Sequence, residues 1–212
     1  RAGPIRDTTS TAAFKWESCR SGAITEAHEN ERKPLLHRSG RPVHPMTPSP
    51  ALVFIGSPTH DLVVRGVSAH RAVGGAAYIS ALAARWSGAS AGIVARVPSL
   101  FPADAAGPFG PGGLHRGGLR PMDGALPGFR ITYNEHDQAR YTDWNMGLED
   151  GLCATDIPDH WLDGWIHIAG IGASAAQQVS VLRALPPDRI RGLSVGTCKA
   201  MIEEAPTETR EL

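Results

Sequence analysis

The sequence predicts an α/β fold, a mostly parallel sheet flanked by helices. Two observations carry that reading. Across 51–97 an apolar run, Leu52–Ile55, ends in Gly56 and a polar turn carrying Asp61, and a β-branched run follows over 62–67. The pair Gly74-Gly75 then opens an alanine-rich stretch of helical character, and a second apolar run occupies 91–97. Parallel neighbours need a helical crossover of this kind. The alternation recurs toward the C-terminus, where Trp165–Ala169 is a buried strand, 174–185 a helix stopped by Pro186-Pro187, and 191–195 a further core strand.

The remaining segments follow in order. Residues 1–50 are rich in Arg, Glu, His, Ser, Thr and Pro and hold no period of 2 or 3.6. They bury too little apolar surface to offset ordering entropy, so they are expected to be a disordered leader. Met46, just ahead of the first strand, is one reading of the true start; a regulatory tail is the other. Residues 98–118 are dense in Gly and Pro around a short helix at Ala103–Ala106. The run 129–134 alternates apolar and polar residues, 139–144 does so less regularly, and four polar residues join them as in a hairpin. Residues 155–161 form a loop entering a short helix, and 200–212 a charged, helix-like tail. No internal repeat is visible.

Composition narrows the classes. The 212 residues carry 21 basic and 21 acidic side chains with no basic tract, which removes the electrostatic case for nucleic acid or an anionic membrane surface. No apolar run reaches the roughly 18 residues of a transmembrane helix, and the N-terminus has no signal-peptide core. Three widely spaced cysteines, Cys19, Cys153 and Cys198, without C-x-x-C, suit a reducing compartment. The expectation is a cytoplasmic protein.

Chemistry is expected at the carboxyl ends of the parallel strands, where α/β folds place ligands. Asp61 and Gly74-Gly75 fall at that end, although Asp is also a common turn or capping residue. Tyr78, Leu82 and Trp86 recur at helical spacing and are read as core. His167 sits inside an apolar strand as a satisfied core histidine. Arg140 on the hairpin is either a substrate clamp or a solvated face residue. The nine histidines show no metal spacing, so no metal ligands are assigned. A rival lies at Gly170-Ile-Gly172-Ala-Ser-Ala175, a G-x-G-x-x-A dinucleotide fingerprint for NAD between strand and helix. Against it, the next strand runs into Gly196-Thr197 instead of the acidic residue that would hold a ribose hydroxyl.

Three motifs in order, Gly56-Ser-Pro-Thr-His-Asp61, Gly74-Gly75 and Arg85-Trp-Ser-Gly88, resemble the opening pattern of the ribokinase-like (PfkB) carbohydrate kinases. Gly118-Leu-Arg-Pro-Met-Asp-Gly124, the Arg-bearing hairpin over 129–144, and Asp156-Ile-Pro with His167-Ile-Ala-Gly170 resemble later segments of the same family, so the similarity spans about 51–205. The resemblance implies a three-layer fold with a small β lid, C-terminally truncated, over 51–212. It also implies ATP-dependent phosphorylation of a sugar or polyol hydroxyl, with ATP and Mg2+ as cofactors and lids that sometimes pair into a homodimer. Asp61 would hold substrate hydroxyls, Gly74 and Gly75 would let backbone approach the substrate, and the Arg140 hairpin would cover it.

The departures are equally specific. No Gly-Ala-Gly-Asp, which supplies the family's catalytic base, and no Asn-x-x-Glu, associated with its magnesium, occurs in this chain. Thr59 and Ile79 stand where many members carry Asn. The resemblance is therefore to the N-terminal, substrate-binding half alone, and the expectations are no kinase turnover, marginal stability and no catalytic residue. A non-catalytic, kinase-like binding domain is the third reading.

Overall fold

A computed structural model of the protein describes residues 49–169, 175–210 and 212. The expected leader lies outside the described residues except for Ser49 and Pro50. Pro50 is buried, and its ring lies against Gly92.

The first strand, β1 (Leu52–Ile55), is the centre of the molecule. Its neighbours are β4 (Ala91–Pro98) and β8 (Trp165–Ala169), both parallel to it. Outside them lie β5 (Leu119–Met122) and β9 (Gly192–Gly196), giving the all-parallel order β5-β4-β1-β8-β9. Alternate residues of β1 feed two cores. Phe54 joins Ile93, Ala95 and Val97 under α1 (Ala76–Trp86), while Val53 and Ile55 join Val94, Ile166 and Ile168 under α3 (Ala175–Ala184). A parallel sheet covered on both faces in this way accounts for its near-continuous apolar strands.

A second, four-stranded sheet follows β1 in the chain. β2 (Thr59–Arg65), β3 (Ser68–Gly74), β6 (Gly128–Tyr133) and β7 (Ala139–Asn145) form the order β3-β2-β6-β7. The 129–144 hairpin is as expected, closed by Asn134, whose Oδ1 accepts the backbone N–H groups of His136 and Gln138 at 3.0 and 2.9 Å. The short α2 (Ala103–Ala106) is also where the sequence put it. The C-terminal tail is two short helices, α4 (Lys199–Glu204) and α5 (Pro206–Thr209).

Four expectations need correction. Val67 does not extend β2; with Gly66, at φ +57°, it makes the tip of a hairpin and is fully exposed. The following strand, β3, was not read because its exposed residues carry no apolar alternation. β5 was not read because Pro121 breaks the pattern, and a proline is tolerated there because β5 is an edge. Trp86 is not core: it is 82% exposed, whereas Tyr78 is buried. Steps of four residues drift around a 3.6-residue helix, so by Trp86 the stripe has rotated about 80° from Tyr78.

Trp161 fills the gap between loop and sheet on the α3 side. Its ring is fully buried, and a Cβ on Gly92 would stand 2.7 Å from it. Its indole N–H has no acceptor among the described residues. Trp161→Ala should therefore cost about 3–5 kcal/mol in denaturant unfolding. Trp161→Phe should cost clearly less, since it also removes an unpaired donor; equal losses would refute this packing account.

His167 is the satisfied strand histidine expected. Nδ1 lies 2.8 Å from Ser194 Oγ, and the ring packs edge-on to Phe54 at 5.8 Å. Burial holds its pKa below the usual 6.5, so the folded state keeps it neutral. The unfolded chain then binds the proton first, and stability falls as pH drops from about 6.5 toward the lower folded value. Melting temperature measured across that window should decline, with a shallower decline in His167→Gln.

Candidate functional site

β1 connects to one side of the sheet and β8 to the other, so the strand order reverses between them. Ligand crevices of open α/β sheets form outside the carboxyl ends of strands at such a point. At that end of β1, Gly56 (φ +142°) turns the chain into Ser57-Pro58 and then into β2. The Ser57 backbone N–H donates to Glu149 Oε2 at 2.5 Å, and Glu149 is only 6% exposed. Glu149 lies in a 3-10 turn, Gly147–Gly151, whose backbone is fixed from below: Gln177 Nε2 donates to the carbonyls of Glu149 and Leu152 at 2.8 and 3.0 Å. The Ser57 hydroxyl is buried without a partner among the described residues.

The next residues of this series are the expected ones. Asp61 is not in the turn but inside β2, paired with Ala72 of β3, and 6% exposed. The Thr59 hydroxyl, at the start of β2, donates to Asp61 Oδ2 at 2.8 Å, and the Phe129 N–H donates to Oδ1 at 3.1 Å, so Asp61 ties the base of β2 to β6. A carboxylate has about four acceptor sites, so two donors leave capacity for more.

Gly74 ends β3 and Gly75 caps α1, a division the sequence did not show. A Cβ on Gly74 would stand 2.6 Å from Asp61 Oδ2. Gly75 has φ +98°, and a Cβ there would strike the Ser57 carbonyl. The space that the resemblance reserves for a substrate beside Gly74 is thus taken by the protein's own carboxylate. Glu149, Ser57, Gly75, Gly74 and Asp61 form one continuous contact series. Arg140 is not part of it; it lies exposed on β7, opposite Thr132.

Beside this series, a cleft of about 520 Å³ opens between the second sheet and the carboxyl end of β4. Its floor is apolar, from Pro98, Pro102, Ala125 and Leu126, and its roof is polar, from His60, Arg71 and Arg130. His60 Nε2 lies 3.5 Å from Asp104 Oδ2. Below, Tyr78 donates to the Ala105 carbonyl at 3.3 Å, and burial followed by the Asp104 charge raises its pKa.

The sequence missed Glu149. Nothing in Gly147-Leu-Glu-Asp-Gly151 separates it from Asp150, which is exposed; only the tertiary position of the Ser57 N–H selects one carboxylate. Among the described residues no group of three or more His, Cys, Asp or Glu is placed to hold a metal ion. The sequence contains no Gly-Ala-Gly-Asp and no Asn-x-x-Glu. Of the dinucleotide fingerprint, Gly170 and Gly172 lie outside the described residues, and Ala175 is the buried first residue of α3. No helix among the described residues is long and apolar enough to cross a membrane.

No protein-family model matches the sequence, and no curated protein does. Solved structures do match in fold. An Arabidopsis thaliana ribokinase complexed with ribose and ATP aligns with TM-score 0.54 at 15% identity, over 71% of this chain and 55% of its own. A 2-dehydro-3-deoxygluconokinase of Thermotoga maritima aligns with TM-score 0.57 at 16% identity, over 75% and 55%. A Burkholderia thailandensis nucleoside kinase in complex with inosine aligns with TM-score 0.53 at 15% identity, over 71% and 52%. The chain spans just over half the length of each of them.

The close approach of Gly75 to Ser57 has a measurable consequence. Gly66 also has positive φ but nothing lies within 4 Å of its Cβ position, so Gly66→Ala should cost only the backbone term, about 1–2 kcal/mol. Gly75→Ala adds a clash with backbone that cannot swing aside, and its loss in thermal or denaturant unfolding should be clearly larger.

Proposed function

The fold is that of the ribokinase-like kinases, and from it we propose that this chain provides the acceptor-binding part of a carbohydrate kinase, holding a sugar, polyol or nucleoside through its hydroxyls. The observation that carries the proposal is the contact series from Glu149 through Ser57 to Asp61. Two buried carboxylates and a buried hydroxyl without a partner among the described residues lie along this series. Sugar hydroxyls are donors, and bonds to an ionised acceptor are about twice as strong as neutral ones. Ser57 Oγ, short of a partner, gains one when a hydroxyl is placed beside it.

The assignment of roles follows. Asp61, fixed by Thr59 and Phe129, is in place before a ligand arrives, so its orientation costs nothing on binding. Gly74 and Gly75 keep the turn and the β2 base close enough to act together. Arg140, exposed on β7, joins only as part of the cover. We assign no catalytic residue: phosphoryl transfer needs a base and stabilisation of the transferred group as well as positioning, and this chain offers the positioning. ATP and Mg2+ would serve the complete reaction, but no step through them is derived from these residues. The NAD reading gains no support from the matching structures, which are kinases.

The test is ligand-dependent melting of the purified chain with ribose, fructose, sorbitol, inosine and NAD. A ligand that binds the folded state raises its melting temperature by mass action. A shift with a sugar, polyol or nucleoside, weakened roughly tenfold to hundredfold in Asp61→Asn, is expected. A shift with NAD alone, or a sugar shift untouched by Asp61→Asn, would overturn the proposal. ATP added with the bound acceptor should yield no phosphorylated product from this chain.

A further inference from the structure

We propose a second binding site, at the opposite end of the parallel sheet from the acceptor series, where Arg85 and Arg116 hold a small multivalent oxyanion. It stands independently of the acceptor reading. Its place is set by α1. Gly75 caps that helix beside the Ser57 turn, and Arg85 and Gly88 lie at its other end, about 16 Å away for an 11-residue helix. There a second cleft of about 520 Å³ opens between the end of α1, the entry to β4 at Ser90 and the loop 110–116.

Backbone bonds fix this loop. The Gly113 N–H donates to the Gly110 carbonyl and the Leu114 N–H to the Pro108 carbonyl, both at 2.9 Å, and the His115 N–H donates to the Ala91 carbonyl at 3.0 Å. The His115 ring adds a side-chain tie, with Nε2 2.9 Å from Ser90 Oγ. Onto this frame two guanidinium groups are fastened by neutral partners. Arg85 Nε donates to the Gly112 carbonyl at 2.8 Å, with Nη2 on the same oxygen, and Arg116 Nη2 donates to the Phe109 carbonyl at 2.9 Å. Each arginine is thereby oriented while most of its donor fork stays unspent.

The positive charge in this cleft is uncompensated. No carboxylate is among its lining residues, and neither arginine makes an ion pair among the described residues. Elsewhere guanidinium groups meet carboxylates: Arg65 at Asp137, Arg96 at Asp156 and Arg189 at Asp159. The negative end of α1 is blunted, because its last carbonyls are already bonded. Ala83 accepts from the Ser87 N–H and hydroxyl, Ala84 from the Ala89 N–H and Arg85 from the Gly88 N–H, each at 3.0 Å.

The lining also selects the class of anion. Guanidinium forks take phosphate and carboxylate oxygens bidentately, and two forks in one cleft are matched by a ligand with two or more negative charges. Gly88, Gly110 and Gly112 contribute no side chain to cover those forks, and open space lies where their Cβ atoms would stand. No Phe, Tyr or Trp lines the cleft, so a nucleobase has no stacking surface there. The loop carries no G-K-[ST] to cradle a nucleoside triphosphate. The balanced chain, without a basic tract, offers no track for nucleic acid. A small diphosphate or polycarboxylate meets all of these conditions.

The test is calorimetry on the full chain at constant ionic strength with pyrophosphate, citrate and acetate. Pyrophosphate or citrate should bind at least tenfold more tightly than acetate, and the tighter of the two identifies phosphate or carboxylate as the recognised group. Arg116→Gln, a change at an exposed side chain, should weaken that binding tenfold or more. Arg116→Lys should recover part of it, since the charge returns without the fork. Arg65→Gln removes the same charge from the second sheet and should leave the affinity unchanged. Failure of both polyanions to bind, acetate binding as tightly as they do, affinity that survives Arg116→Gln, or an equal loss in Arg65→Gln would each overturn the inference. None of these results bears on the Asp61-dependent shift that tests the acceptor site.

Discussion

The turn after β1 is gripped from both sides, and the rest of the site is arranged around that grip. Glu149 takes the Ser57 N–H at 2.5 Å, and α1 can start on the other side only because Gly75 has no Cβ to meet the Ser57 carbonyl. One peptide is thereby fixed in direction, donor toward the 3-10 turn and acceptor toward the helix. From it follow the entry of β2, the position of Asp61 on β2 and the start of α1. A buried polar side chain is costly unless it is hydrogen-bonded, so Glu149 also enforces correct closure of a loop 92 positions away in sequence.

Much of this was legible in the chain. The apolar runs named β1, β4 and β8 because strands buried on both faces need no alternation, and the resemblance drew attention to Asp61, Gly74 and Gly75, which the fold brings against one another and the Ser57 turn. What stayed hidden had a physical cause in each case. β3 faces solvent on an edge, so selection on its side chains left no hydrophobic signature. Val67 looks like strand by side chain, but Gly66 before it turns the chain. Glu149 is chosen by a long-range backbone donor, which no local pattern encodes.

The two sheets differ in what holds them. The parallel sheet is a two-sided apolar core, with Trp161, Ile55, Ile93 and Ile168 fully buried, and this part of the molecule draws its stability from burial. The second sheet has few buried side chains and relies on its ladder hydrogen bonds, on Asp61 at its base and on exposed ion pairs such as Arg65 with Asp137. Local opening costs least where few apolar contacts must be given up, so fluctuations concentrate in the second sheet while the strand ends stay fixed.

Asp61 and Glu149 stand on different elements: one on β2 of the second sheet, the other on a 3-10 turn fastened to α3 through Gln177. The gap between these carboxylates is therefore set by how the second sheet is seated at the Ser57 turn. A molecule that bonds to both favours the spacing it spans, and by linkage anything that stabilises that spacing strengthens its hold.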